Sequence, residues 1–370
     1  MPGLYVHIPF CRRACGYCDF FKSISLAKSP QVLEAMRREM AFRANGEAGR
    51  RLDTVYFGGG TPSALPAHEL ELLLGTAKEL WDCTAVAETT LEANPDDLAP
   101  DYLHALREAG FDRLSMGVQS FCDRELRLMN RRHDAAGALR AFRDARRAGF
   151  DNISIDLIYG LPGSDAEIWG ETLRRAAGLG AEHISAYHLT IEPGTPFGRR
   201  PGLSPVPEAE SVRQYELLCG ILANAGYVHY EISNFALPGF RSRHNSAYWA
   251  DEPYTGIGPS AHSYDGRTRS WAPPSLERYV ALAGSPGLYE SETLTPDMRR
   301  NEYVMVRLRT AEGIDEEDFS RRFGARELLR LLSDAERFLQ GGLLTRTAGR
   351  LAVPPEKFLV GDGIVSALFR

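Results

Sequence analysis

The sequence predicts an α/β fold: a partial (β/α)6 TIM-like barrel followed by a smaller, mainly helical, winged-helix-like C-terminal domain. Three observations lead there. Short β-rich runs alternate with longer helical patterns six times in the first half of the chain. A connection from Glu192 to Pro207, holding five prolines, ends that alternation. Beyond it the pattern turns mostly helical, with two short β-like runs near the end. At 370 residues the chain is long enough for a large barrel and an appendage, taking roughly 150 residues per domain. Its 44% hydrophobic and 25% charged residues suit a soluble globular protein and argue against disorder and coiled coil.

Leu4 to Ile8 is the first strand-like run. Ser29 is placed to cap the first long helix, with Pro30 at its first position and Leu33, Met36 and Met40 along it. Thr54 to Phe57 supplies the second strand and Leu70 to Leu80 the next helix. Thr89 to Ala93, the helix Pro100 to Ala109 and the run Arg113 to Val118 follow. Asp134 suits the cap of another helix, before the run Asn152 to Ile158, a helix near Glu167 to Ala177, and the run His183 to Thr190. Six parallel strands in this order fit an incomplete βα barrel.

After the proline-rich surface connection, a helix is expected from about Glu208 to Ala225. A β-like run from Tyr227 to Ile232 and an aromatic, glycine-bearing stretch up to Trp271 come next. Later, Leu328, Leu329, Leu331, Leu332 and Phe338 read as one buried helix face, and Leu343 to Arg346 with Leu351 to Val353 as a small wing. The expected organisation is a barrel over residues 1–235, a bridging segment over 236–295 and a helical, winged domain over 296–370.

A formal net charge of −6 leaves no broad positive field for nucleic acid or anionic lipid. From Ile314 on, nine basic residues face nine acidic ones, so no nucleic-acid partner is expected there, and packing or partner docking is. No apolar run approaches the roughly 18 residues of a spanning helix. Met1 to Phe10 lacks the basic and apolar regions of a signal peptide. A cytoplasmic location is the expectation.

Six cysteines are present, and Cys11, Cys15 and Cys18 fall in one loop directly after the first strand. Cys83, Cys122 and Cys219 have no ligand-like neighbours. An iron–sulfur cluster ordinarily takes four protein thiolates, so a compact trio implies one iron left open to another ligand. A structural zinc site of the three cysteines with His7 is the alternative. Zinc sites usually gather two ligand pairs from separate turns, and alternation with Val6 and Ile8 turns His7 toward the barrel interior beside Tyr5.

At these residues the chain resembles the radical S-adenosylmethionine (SAM) superfamily, whose signature is this three-cysteine spacing. The resemblance implies a [4Fe-4S] cluster on Cys11, Cys15 and Cys18, with SAM chelating the open iron and one electron able to cleave it to a 5′-deoxyadenosyl radical. It also implies a barrel of the radical SAM type. Phe57-Gly58-Gly59-Gly60-Thr61-Pro62 leaves the second strand in a turn where missing β-carbons allow close backbone approach. Glu92, Gln119 and Asp156 stand at or near the ends of the third, fourth and fifth strands, where barrels place functional groups. Each alone reads more readily as an ordinary capping or loop residue. The resemblance carries Tyr5, Tyr17, Gly59, Gly60, Thr61, Glu92, Gln119, Arg131 and Asp156 over as SAM contacts. Arg131 suits the SAM carboxylate, and Gln119 and Asp156 suit ribose hydroxyls.

Tyr5-Val-His-Ile-Pro-Phe-Cys11 and Gly256-Ile-Gly-Pro-Ser-Ala-His262 narrow the resemblance to the branch holding oxygen-independent coproporphyrinogen III oxidase and its relatives. The oxidase carries a fourth cysteine two positions after the third, where this chain has Phe20, and a longer segment before the cluster. Both departures point away from decarboxylation. His244-Asn-Ser-Ala-Tyr248-Trp249 resembles the HNxxYW motif of heme chaperones in this branch. A neutral imidazole is a common heme ligand, and Tyr248 and Trp249 can pack on a macrocycle, although a His beside a Tyr-Trp pair is more often packing.

Three functions therefore stand. The first is a chaperone that binds heme and a SAM-ligated cluster and delivers heme to respiratory proteins, with homodimer formation and transient membrane-protein contact left open. The second is an enzyme, either the oxidase or a radical SAM methyltransferase. The third is a plain electron carrier, which needs no SAM pocket.

Overall fold

The computed structural model describes residues 3–46 and 50–370. Six parallel strands form its centre in sequential order: β1 (Gly3–Ile8), β2 (Thr54–Gly59), β3 (Glu88–Ala93), β4 (Arg113–Gln119), β5 (Asn152–Tyr159) and β6 (His183–His188). Helices α1 (Ser29–Gly46), α2 (Ala67–Leu80), α3 (Pro100–Ala109), α4 (Asp123–Leu128), α5 (Ala135–Arg147) and α6 (Ala166–Gly178) cross between them. This is the partial βα barrel that the alternation predicts. Leu4, Val6 and Ile8 on one face of β1 are fully buried, and each such side chain contributes roughly 1.5–3 kcal/mol of hydrophobic stabilisation. The other face of β1 turns Tyr5 and His7 inward, where the Tyr5 hydroxyl bonds His7 Nδ1 at 3.1 Å.

The sheet runs further than six strands. After α7 (Glu208–Asn224), strands β7 (Val228–Glu231) and β8 (Asn234–Ala236) extend it antiparallel beyond β6. Following α8 (Arg243–Trp249), β9 (Tyr254–Ile257) pairs parallel with the open side of β1. Then β10 (His262–Tyr264), β11 (Thr268–Trp271) and, past α9 (Leu276–Leu282), β12 (Glu290–Thr293) complete twelve strands. The aromatic stretch up to Trp271 thus holds one helix and four strands that its sequence does not announce. Each is short, and Gly256 admits a crossing in which a β-carbon would fall 2.0 Å from the His262 carbonyl oxygen.

The C-terminal region consists of α10 (Pro296–Leu308), β13 (Ile314–Asp315), α11 (Glu316–Phe323), α12 (Ala325–Gln340), the hairpin β14 (Thr345–Thr347) and β15 (Arg350–Ala352), and α13 (Gly361–Ala367). The wing is a three-stranded sheet in the order β13-β15-β14. The region packs beside α8: Arg307 donates to the Trp249 carbonyl at 3.4 Å, and Arg322 pairs with Asp251 at 3.0 Å.

Three local expectations change. Ser25, not Ser29, supplies the cap, because a 3-10 turn over Leu26–Lys28 precedes α1 and leaves Ser29 already helical. Leu329 is 69% exposed, since α12 buries the face of Leu331 and Ala335. The proline-rich connection is not wholly superficial, because Thr195 and Phe197 are buried. Asp134 caps α5 as expected, accepting from the Gly137 amide.

Candidate functional site

The three clustered cysteines sit in a loop braced on every side. Cys11 N–H donates to the Ser23 carbonyl at 2.9 Å and Ser23 N–H to the Pro9 carbonyl at 2.6 Å, closing the loop at its base. Gly16 N–H donates to Met129 O at 3.0 Å, and Phe197 N–H donates to Gly16 O at 2.8 Å. The Asn130 side-chain amide reaches Ala14 O at 2.8 Å. All six cysteines are free thiols.

Donors converge on two of the sulfurs. The Thr61 hydroxyl lies 3.4 Å from Cys11 Sγ and the Arg131 guanidinium 3.3 Å from Cys15 Sγ. Burial pushes the Cys11 thiol up to about 11, so a bound cation is what would hold it as thiolate at neutral pH. Three sulfurs with a cation and a hydroxyl aimed at them fit the ligand set of an iron–sulfur cluster. The zinc alternative does not fit. His7 has both ring nitrogens taken, by the Tyr5 hydroxyl at 3.1 Å and the Phe21 carbonyl at 3.2 Å.

The glycine turn after β2 works differently from the expectation. A β-carbon at Gly59, where φ is +105°, would fall 2.5 Å from the His7 ring, and one at Gly60 would fall 2.8 Å from the Ile8 and Phe10 carbonyls. The missing side chains let the turn press against β1 and the cysteine loop. Gly60 and Thr61 amides donate to Ile8 O and Phe10 O at 2.8 and 2.7 Å. The Gly59 amide donates to Glu92 Oε2 at 3.0 Å, and the Tyr56 hydroxyl donates to Glu92 Oε1 at 2.8 Å. Burial raises the Glu92 carboxyl to about 7, with Asp156 repulsion adding to it and these donors opposing it.

Around the rim, Arg131 donates to Asn94 Oδ1 at 2.5 Å and to Gly117 O at 2.6 Å, and Asn94 donates to the Thr61 hydroxyl at 3.3 Å. Gln119 closes on the same group: a β-carbon at Gly117 would meet its side-chain nitrogen at 2.9 Å and Arg131 at 3.3 Å. It holds φ +69° beside a bulge that sets one extra residue of β4 against β5. Ser115 donates to Asp156 at 3.2 Å, and burial raises the Asp156 carboxyl. Tyr17 packs against the small apolar cluster that includes Leu126, Met129 and Phe197, and burial raises its hydroxyl with Arg131 opposing. Asn94, Ser115, Met129 and Phe197 join this site without a sequence signal. Tyr56 could have been found, since it shares the inward face of β2 with Gly58.

The other motif lies at the opposite end of the barrel. His244 is buried, with Nδ1 bonded to the Thr54 hydroxyl and Nε2 to the Tyr248 hydroxyl, each at 2.8 Å. Burial, with help from Arg113, lowers its ring to about 3. Glu88 accepts from the Arg243 and His244 amides at 2.9 and 3.1 Å, and Ser242 caps the helix. Helix α8 therefore closes the barrel floor with the motif His turned inward. It does not meet the cysteine loop, and both of its ring nitrogens are occupied.

A sequential parallel barrel with a three-cysteine loop after its first strand defines a radical SAM protein. The family model described as Radical SAM superfamily matches residues 5–176, and that described as HemN C-terminal domain matches residues 294–360. "Heme chaperone HemW" of Bacillus subtilis is 36% identical over 331 residues, covering 88% of this chain and 87% of its own. The protein of that name from Mycobacterium tuberculosis is 34% identical over 375 aligned positions, covering 99% and 94%. The chain belongs to the HemW family of radical SAM proteins. Coproporphyrinogen III oxidase (HemN) from Escherichia coli matches it in structure with a TM-score of 0.87 at 26% identity, over 100% of this chain and 90% of that one. Among the described residues no helix is long and apolar enough to cross a membrane.

Proposed function

We propose that the protein binds SAM against a [4Fe-4S] cluster at the barrel mouth and carries heme as cargo for delivery to respiratory proteins. The observation that carries this reading is similarity to proteins named heme chaperones over nearly the whole chain, together with the His244-Asn-Ser-Ala-Tyr248-Trp249 pattern. Cys11, Cys15 and Cys18 would hold the cluster, which supplies an electron and an open coordination position. Thr61 and Arg131 would stabilise thiolate charge. Gly59 and Glu92 suit the SAM amino group, Arg131 its carboxylate, and Gln119 and Asp156 its ribose, with Tyr5, Tyr17 and Gly60 lining the same pocket. Heme would enter through His244, Tyr248 and Trp249, which requires α8 to swing off the barrel floor and free an imidazole nitrogen.

Heme titration of the reconstituted protein tests the reading. A Soret band at defined stoichiometry, diminished in His244→Ala, is expected. An unaltered spectrum and stoichiometry in His244→Ala would remove His244 as ligand, and no band at all would overturn the cargo. The oxidase is the second reading, favoured by the shared architecture. Phe20, 70% exposed beside Cys18, stands where the oxidase has its extra cysteine. Anaerobic incubation of the reduced protein with SAM and coproporphyrinogen III decides between them, and accumulation of protoporphyrinogen IX would establish the oxidase.

A further inference from the structure

One strand links the two ends of the barrel. Thr54, Tyr56 and Gly58 alternate along β2 and so share its inward face. Thr54 holds His244 Nδ1 at 2.8 Å. The His244 ring in turn lies against Tyr56, with centroids 4.9 Å apart and planes inclined by 23°. Tyr56 then reaches up to Glu92 at 2.8 Å. At Gly58 a β-carbon would sit 2.8 Å from both Glu92 Oε1 and Tyr56 Cε1, so the strand leaves space there for this pair. Tyr5 packs alongside, 6.1 Å from Tyr56 and 6.4 Å from His244.

We propose that Tyr56 and His244 are positioning residues for the Glu92 carboxylate, so that helix α8 at the barrel floor sets the SAM affinity of the pocket at the mouth. The proposal rests on Glu92 being a SAM contact. The physical route is short. A phenol ring is rigid and its oxygen lies on the Cβ–Cζ axis, so the place of the hydroxyl follows from the direction of that axis. The imidazole stacked on the ring face limits how far the axis can tilt, and the imidazole is held by Thr54 and Tyr248. A hydrogen bond to a buried carboxylate is among the stronger ones and depends steeply on geometry. By linkage, whatever moves His244 changes SAM binding, and SAM binding changes the ease of moving His244 by the same factor.

The test is SAM calorimetry on cluster-reconstituted protein, with thermal unfolding as a check on folding. Tyr56→Phe keeps the stack and removes only the donor, and should weaken SAM about tenfold. His244→Ala should weaken it several-fold, and His244→Phe, which restores a ring, should recover most of the loss. In Tyr56→Phe/His244→Ala the second substitution should add nothing, because the stack no longer has a hydroxyl to aim. General destabilisation would instead give multiplying losses. Such losses, or unchanged affinity in Tyr56→Phe, would overturn the proposal. Glu92→Gln separates the two levels: if it binds SAM normally, the pocket assignment itself fails and the proposal with it. If His244→Ala does not fold, Tyr56→Phe and His244→Phe still decide. For every variant that binds, the spectral change of the reduced cluster on saturation with SAM should match the unsubstituted protein.

Discussion

Phe197 closes over Gly16 so tightly that a β-carbon on Gly16 would lie 2.3 Å from the phenylalanine ring. The contact joins the proline-rich connection after β6 to the cysteine loop after β1. The Phe197 amide bonded to the Gly16 carbonyl fixes it from the backbone side. Gly16→Ala would force the ring or the loop aside and is expected to lower iron and sulfide incorporation during reconstitution. Phe197→Ala should do the same and cost about 3 kcal/mol of stability, the lower end for a buried phenylalanine. Normal cluster content in both would show that the loop holds its shape without this clasp.

Cysteine replacement should divide the six thiols cleanly. Cys11→Ala, Cys15→Ala and Cys18→Ala are each expected to lose the charge-transfer absorption of the reconstituted cluster. Cys83→Ala, Cys122→Ala and Cys219→Ala should keep it, since none of the three lies in the braced loop. A cluster signal dependent on Cys219 would require a different ligand set.

SAM affinity should depend on pH through Glu92. Its carboxyl is raised to about 7 by burial, with Asp156 nearby and with Tyr56, Gly59 and Arg113 opposing the shift. The charged form, which accepts hydrogen bonds from the SAM amino group, is present above that value and lost below it. Calorimetry across the range is expected to show tighter binding on the alkaline side and progressive weakening as pH falls through about 7. Tyr56→Phe removes one of the opposing donors, so its profile should move to higher pH. A flat profile with an intact cluster spectrum would exclude Glu92 as the partner of the SAM amino group.

Helix α8 should limit heme capture. It spans Arg243–Trp249 and is capped by the Ser242 hydroxyl. Removing an N-cap costs about 1 kcal/mol, so Ser242→Ala should raise the open population, and with it the rate of heme uptake in stopped-flow absorption, by about fivefold. An unchanged rate in a folded variant would mean that heme does not wait for α8 to open.

Much of the fold is legible from periodicity alone. Pro100–Ala109 is a helix over the residues expected, and all six barrel strands fall within two residues of the runs that announce them. The cysteine trio is equally legible because its meaning is carried by spacing along one loop. The glycine run at the end of β2 is visible too, yet its reason is not: the atoms that exclude a side chain at Gly59 and Gly60 belong to His7, Ile8 and Phe10, some fifty residues earlier in the chain. Likewise the sequence marks His244 as a residue of interest without revealing that Thr54 and Tyr248 occupy its ring.

By itself, then, the sequence determined the alternating barrel, the three thiols in one loop and the family to which they point. Each of these is written in local order, as a period, a spacing or a short motif. Only the tertiary structure decided that the motif helix plugs the barrel floor, that Tyr56 stands between His244 and Glu92, and that Phe197 clamps the cysteine loop. Those relationships join residues about 36 to 190 positions apart in the chain, and packing distance between such residues has no trace in local pattern.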